Sequence, residues 1–214
     1  VLAEPDVALT DFGLALECGL FVWLLARRGA PGEPLRRWWL LFFGSIGLAS
    51  LAGGLVHGFF DDPASPQQAA LWLLTLLAIG GAALAGWGIG AKLLFRPAAA
   101  RRVSAAAGLG FALYAAVVLF GQRSFLAAIA SYLPAAVFLF VALAVVYKQA
   151  RARPLLLGLV GLLLTFAAAG IQQGAVALHP VYFDHNALYH VVQAVALLLL
   201  FRAASWLVSA GAGR

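Results

Sequence analysis

Seven apolar stretches, separated by joints too short to hold a domain, leave this chain one kind of fold. They run from about Val7 to Leu25, Trp38 to Phe60, Ala69 to Phe95, Val103 to Phe120, Phe125 to Tyr147, Leu155 to Leu178 and Asn186 to Val208. A helix rising 1.5 Å per residue needs about 20 mostly apolar residues to cross a bilayer core, so each stretch is a candidate span. The joints carry Pro, Gly and charge, which reads as punctuation between helices: "RRGAPGEPLRR", "DDPASPQQ", "RPAAARR", "GQRS", "KQARARP" and "HPVYFD". The expectation is an all-α integral membrane protein, a single seven-transmembrane helix bundle over residues 1–214. Composition agrees. Hydrophobic residues make up 64% of the chain and charged residues 10%, against about a quarter charged in a soluble domain.

The cations set an orientation. Arg27, Arg28, Arg36 and Arg37 flank the first joint; Lys92, Arg96, Arg101 and Arg102 the third; Lys148, Arg151 and Arg153 the fifth; Arg202 and Arg214 the C-terminus. The alternate joints carry Arg123 alone, while Glu4, Asp6, Asp11, Asp61, Asp62 and Asp184 fall at the opposite ends of the spans. Because Lys and Arg near span ends resist translocation, the N-terminus is expected outside and the C-terminus in the cytoplasm. The net charge of +6 therefore reads as membrane orientation, and no basic stripe interleaved with aromatics points to nucleic acid. Cys18, the single cysteine, excludes a disulfide within the chain. The chain starts at valine and has no methionine, which reads as trimming; the acidic start "VLAEPD" does not resemble a secretory signal. The Arg-, Ala-, Leu- and Gly-rich composition fits a bacterial cytoplasmic membrane.

Within the spans, small residues in "GLASLAGG" and "AIGGAALAGWGIG" read as close helix packing, Pro134 as a kink in the fifth helix, and Trp38, Trp39 and Trp206 as interfacial anchors.

The polar residues that composition does not explain gather at the outer side. "HPVYFDHNALYH" holds His179, His185, His190 and Asp184 at the joint before the last span, and His57 ends the second. Asn186, His190 and Gln193, at i, i+4 and i+7, share one helix face, as do Ser50 and His57, with Asp61 if that helix continues. Glu17 is an acid within the first span, expensive in hydrocarbon unless paired or protonated, and so a site candidate; Gln172 and Gln173 add amides. Histidines from two helices with carboxylates nearby suit zinc, which takes three protein ligands in a catalytic site, acidifies a bound water and polarises a carbonyl. Asp61 would orient the water or carry its proton. For His179, before Pro180 in a loop, hydrogen bonding to the loop itself is the favoured reading.

A Glu in span one, a Ser and His in span two, an Asp just beyond, and "H…ALYH" opening span seven resemble the CREST superfamily of seven-transmembrane hydrolases, which includes alkaline ceramidases and progestin and adipoQ receptors. The resemblance implies Zn²⁺ held by His57, His185 and His190, with Asp61 or Asp62 as the acid, Ser50 as the hydroxyl and Glu17 as the span-one acid. Asp184 and His179 are further candidate ligands. It implies hydrolysis of an amide or ester in a lipid-like substrate, and the outside N-terminus fits the ceramidase-like branch. His185 and His190 lie five apart, about 140° around a regular helix, so they converge only if His185 caps the helix or a π-bulge intervenes. The alternatives are haem held by His57 and His190, or a sensor or receptor using the outer cavity. No lysine lies in span seven, which argues against a retinal protein.

Overall fold

A computed structural model describes residues 2–28, 33–121 and 123–211. Arg214 and residues 29–32 of the first joint lie outside them, as does Gln122 of the fourth. Seven helices follow in order: α1 (Pro5–Ala26), α2 (Pro34–Phe59), α3 (Pro66–Leu94), α4 (Pro97–Phe120), α5 (Phe125–Ala150), α6 (Arg153–Gln173) and α7 (His185–Gly211). All are long and apolar enough to cross a membrane. Among the described residues there is no strand, only an isolated bridge between His179 and Phe183.

The prolines act as starts as often as stops. Five helices carry Pro in their first two positions, where a missing N–H is no loss and a fixed φ is already helical. These helices therefore begin up to six residues before the apolar run. Polar caps complete the pattern, as where Ser65 Oγ accepts from Gln68 N at 3.0 Å and Asp184 Oδ1 from Asn186 N and Ala187 N at 2.8 and 2.9 Å. At the other end α6 is shorter than its apolar run: it stops at Gln173, and Val176 and Leu178 lie exposed in the following loop. Pro134 sits within an unbroken α5.

Each helix packs against neighbours in sequence, and α7 closes the bundle against both α6 and α1. The end holding the arginine-rich joints is filled by an aromatic core in which Phe21 stacks on Phe201 at 4.3 Å between centroids and Trp39, Phe42 and Phe43 interlock. Trp39 is thus a core residue with no exposed surface, because its spacing to Phe42 and Phe43 puts it on the inward stripe. The small residues do allow close approach: an added Cβ at Gly161 would meet the backbone oxygen of Ala196 in α7 at 2.6 Å. α4 stands at the margin, joined to α3 by the Tyr114 hydroxyl donating to Leu76 O at 2.8 Å, with Leu109, Leu113, Val117 and Phe120 exposed.

Candidate functional site

The opposite, histidine-bearing end is hollow. A cavity of about 320 Å³ is lined from six helices, α4 contributing nothing. Its walls are mostly apolar, and Asp11, Ser50, His57, Asn186, His190 and Gln193 are among the polar residues that line it.

Asp11 is the buried acid among them, though the sequence places it only among the outer acids. It is 4% exposed, on the same α1 stripe as the buried Val7, Leu14, Cys18, Phe21 and Leu25. Its carboxylate lies against Gly53 of α2, where an added Cβ would meet Oδ2 at 3.0 Å. His190, 8% exposed, approaches from α7 with Nε2 3.4 Å from Asp11 Oδ1.

The neighbouring Thr10 holds the imidazole's other nitrogen. Thr10 Oγ1 lies 2.8 Å from Asp6 O, 3.0 Å from Val7 O and 3.0 Å from His190 Nδ1, and has one hydrogen to share among them. With that hydrogen on the backbone, Thr10 accepts from His190 Nδ1. In that tautomer Nδ1 carries the ring hydrogen and Nε2 turns its lone pair to the Asp11 carboxyl; in the other, Nε2 is the donor to it. In the first case two acceptors face each other and require a proton or a cation between them. A charge-assisted N–H···O⁻ bond settles at about 2.7–2.9 Å, whereas two ligands bound tetrahedrally to zinc at about 2.0–2.1 Å each are about 3.3–3.4 Å apart. The observed 3.4 Å is longer than the first and leaves room for an ion.

His57 repeats the arrangement on α2. Its Nδ1 is bonded to the Glu4 carboxylate, which leaves Nε2 free in a residue that lines the cavity. Backbone bonds from Ala3 N to Gly58 O at 3.1 Å and Glu4 N to His57 O at 3.0 Å hold the two segments together. Histidines whose second nitrogen is held by a carboxylate or hydroxyl are oriented as metal ligands are. Among the described residues no three His, Cys, Asp or Glu side chains stand close enough together to hold a metal ion; Asp11 and His190 form a pair, and His57 lines the same cavity.

The remaining sequence candidates divide. Ser50 is buried and lines the cavity, and Asn186, His190 and Gln193 do so together as their spacing predicts. Gln172 lines it too, while Gln173 bonds to Gln172 outside it. His185 does not line the cavity: Asp184 is the cap and His185 the first helical residue, so the regular-helix angle applies and it turns aside, 3.7 Å from Asp184 Oδ2. His179 is exposed and closes its own loop, accepting at Nδ1 from Val181 N and Tyr182 N at 3.2 and 3.1 Å. Asp62 accepts from Ala64 N at 2.9 Å within the turn after α2. Asp61 is exposed because α2 ends at Phe59 and does not carry it round to the His57 face; it borders a smaller outer pocket beside Glu4 and His57. Glu17 is half-buried with Oε2 unpartnered and does not line the cavity.

A family profile described as "Family of unknown function (DUF6962)" matches residues 7–208. No curated protein and no solved structure matches the chain.

Proposed function

The chain belongs to the DUF6962 family, and we propose that it is a zinc-dependent membrane hydrolase that cleaves an amide or ester in a lipid-like amphiphile. It would span a bacterial cytoplasmic membrane with its N-terminus outside, a reading supported by seven apolar helices and by the confinement of nearly all Lys and Arg to alternate joints. The cavity then opens at the outer leaflet level, where a lipid headgroup and its first linkages reside.

The observation that carries the metal is the 3.4 Å between His190 Nε2 and Asp11 Oδ1, an imidazole nitrogen and a carboxyl oxygen facing each other in a buried wall. Asp11 and His190 would hold the ion, with His57 as the third donor in place of His185. Zinc bound there would polarise the scissile carbonyl and activate a water. The chain's own residues do the rest. Thr10 and Glu4 hold the imidazoles in register, Ser50 offers a hydroxyl to the substrate's polar group, and the apolar walls exclude bulk water and take the chain.

The test is hydrolysis of N-acyl and ester amphiphiles by the protein in lipid nanodiscs, followed by mass spectrometry of the products. The reading expects activity that a chelator removes and zinc restores. Unchanged turnover in strong chelator would refute it.

Two variants grade the arrangement. Thr10→Val removes the acceptor that orders His190 and is expected to weaken zinc affinity about 10–100-fold, the usual loss for a group that orients a ligand, while Thr10→Ser stays near wild type; competition with a chromophoric chelator reads both. His185→Ala and His179→Ala are expected to leave zinc stoichiometry intact, since neither lines the cavity. Loss of zinc in His185→Ala would restore the ligand set that the superfamily resemblance implies.

A further inference from the structure

The loop joining α6 to α7 presents four apolar side chains that no helix carries. Val176, Leu178, Val181 and Tyr182 are 53 to 78% exposed. The loop holds no Lys, Arg or Glu, and its acid, Asp184, caps α7. Its backbone is closed on itself: His179 and Phe183 exchange main-chain bonds at 3.0 and 3.1 Å, and His179 Nδ1 accepts from the amides of Val181 and Tyr182. The amides beneath the apolar tip are thus met by an imidazole rather than by water, which lets that stretch of backbone leave bulk solvent. The loop's height follows from α6. That helix has 21 residues from Arg153 to Gln173, rising about 31 Å in all, close to the roughly 30 Å of a hydrocarbon core. With Arg153 at one headgroup layer, Gln173 reaches the other, and the loop starts there.

Resting on the reading that these helices span a bilayer, we propose that the loop is an interfacial anchor: its apolar tip lies in the headgroup layer of the leaflet at the histidine-bearing end, positioned by His179. The amphipathic ring of Tyr182 suits that layer, and the valines and leucine gain by leaving water. The turn after α2 is the contrast at the same end, since it exposes Asp61 and Asp62 and stands in water. Gln172 and Asn186, on either side of the loop, both line the cavity, so the anchor holds those two amides at headgroup depth.

The experiment places an environment-sensitive fluorophore on Val181→Cys, Ala64→Cys or Leu163→Cys, each in the full chain carrying Cys18→Ala, in nanodiscs. Ala64 lies in the turn after α2, and Leu163 is an exposed residue midway along α6. Quenching is measured with aqueous iodide and with phosphatidylcholine bearing a doxyl group high or low on its acyl chain. The Val181→Cys label is expected to be about threefold or more better shielded from iodide than the Ala64→Cys label, and to be quenched best by the high doxyl group. Adding His179→Ala is expected to raise iodide access at Val181→Cys about twofold or more, whereas His179→Asn, whose side-chain oxygen accepts from amides two and three residues on, keeps the label shielded. Equal iodide quenching at Val181→Cys and Ala64→Cys overturns the proposal. So does a Val181→Cys label shielded from both iodide and lipid, which is the result if another protein covers the loop. Equal shielding in His179→Ala and His179→Asn removes the role given to His179. A Leu163→Cys label that the low doxyl group does not reach removes the spanning reading, and the anchor with it.

Discussion

Asp11→Asn is expected to strip the protein of zinc and to lower hydrolysis about a thousandfold. The substitution keeps volume and leaves the packing against Gly53 in place, but it trades an anionic oxygen for an amide that binds metal poorly and can donate to His190 Nε2. With a hydrogen now available between the two atoms, the pair becomes an ordinary hydrogen bond and needs no cation. Lewis-acid stabilisation worth several kcal/mol would be lost, and each 1.36 kcal/mol is a factor of ten in rate. Metal content and turnover, measured together on protein whose melting temperature is unchanged, check the prediction. Asp11→Asn with full zinc and full activity would show that the buried acid is structural. A companion variant, Gly53→Ala, presses a methyl towards Oδ2 and should shift the carboxylate without altering its charge.

The largest loss of stability is expected at Gly161. An added Cβ there meets Ala196 O at 2.6 Å and Leu200 N at 3.2 Å, both main-chain atoms of α7 with no rotamer through which to retreat. Gly161→Ala must therefore separate α6 from α7. Overpacking of this kind costs about 1–3 kcal/mol, and for a chain of about 200 residues each kcal/mol moves the melting temperature by about 2–4 °C. Gly170 lies on the same helix with nothing within 4 Å of an added Cβ, so Gly170→Ala is the matched control and should hold or slightly raise stability. Equal melting temperatures for the two variants would mean that the helices are not packed as described. Because Gly161 O also receives the Thr165 hydroxyl, to which Gln193 Nε2 donates at 3.3 Å, separation of the helices should loosen Gln193 as well.

The helices were legible in the sequence because hydropathy over 20 residues is a strong and local signal, and the joints are dense in charge. The helix ends were less so. Pro34, Pro66 and Pro97 read as breaks, yet each opens a helix, since only a folded first turn reveals that the missing N–H was one without a partner anyway. Half of the polar region was also legible. His57 and His190 interrupt apolar helices, and Asn186, His190 and Gln193 recur at helical spacing, so their common face followed from geometry.

Asp11 was not read as a site residue, for a definite reason. It lies near the end of its span beside Glu4 and Asp6, where an acid looks like part of a solvated cap. Its burial comes from α2 and α7, through Gly53 and His190, contacts made more than 40 residues away in sequence. A local signal did exist: Val7, Asp11, Leu14 and Cys18 recur at intervals of three and four, so the acid sits on the stripe that the apolar residues bury. Asp61 and His185 lie elsewhere than spacing on a continuous or capped helix suggests: neither lines the cavity, and Asp61 borders the outer pocket beside His57. Asp61 lies beyond the last turn of α2, and Asp184 had already taken the cap that His185 would have needed.

The proposed metal ion lies between Asp11 and His190. X-ray absorption at the zinc edge, on the full chain purified without chelator, tests it directly. The account predicts about one zinc per chain with an oxygen and nitrogen shell at about 2.0–2.2 Å, imidazole scattering, and no sulfur. A sample that takes up no zinc, or a shell that survives intact in Asp11→Asn, would contradict it.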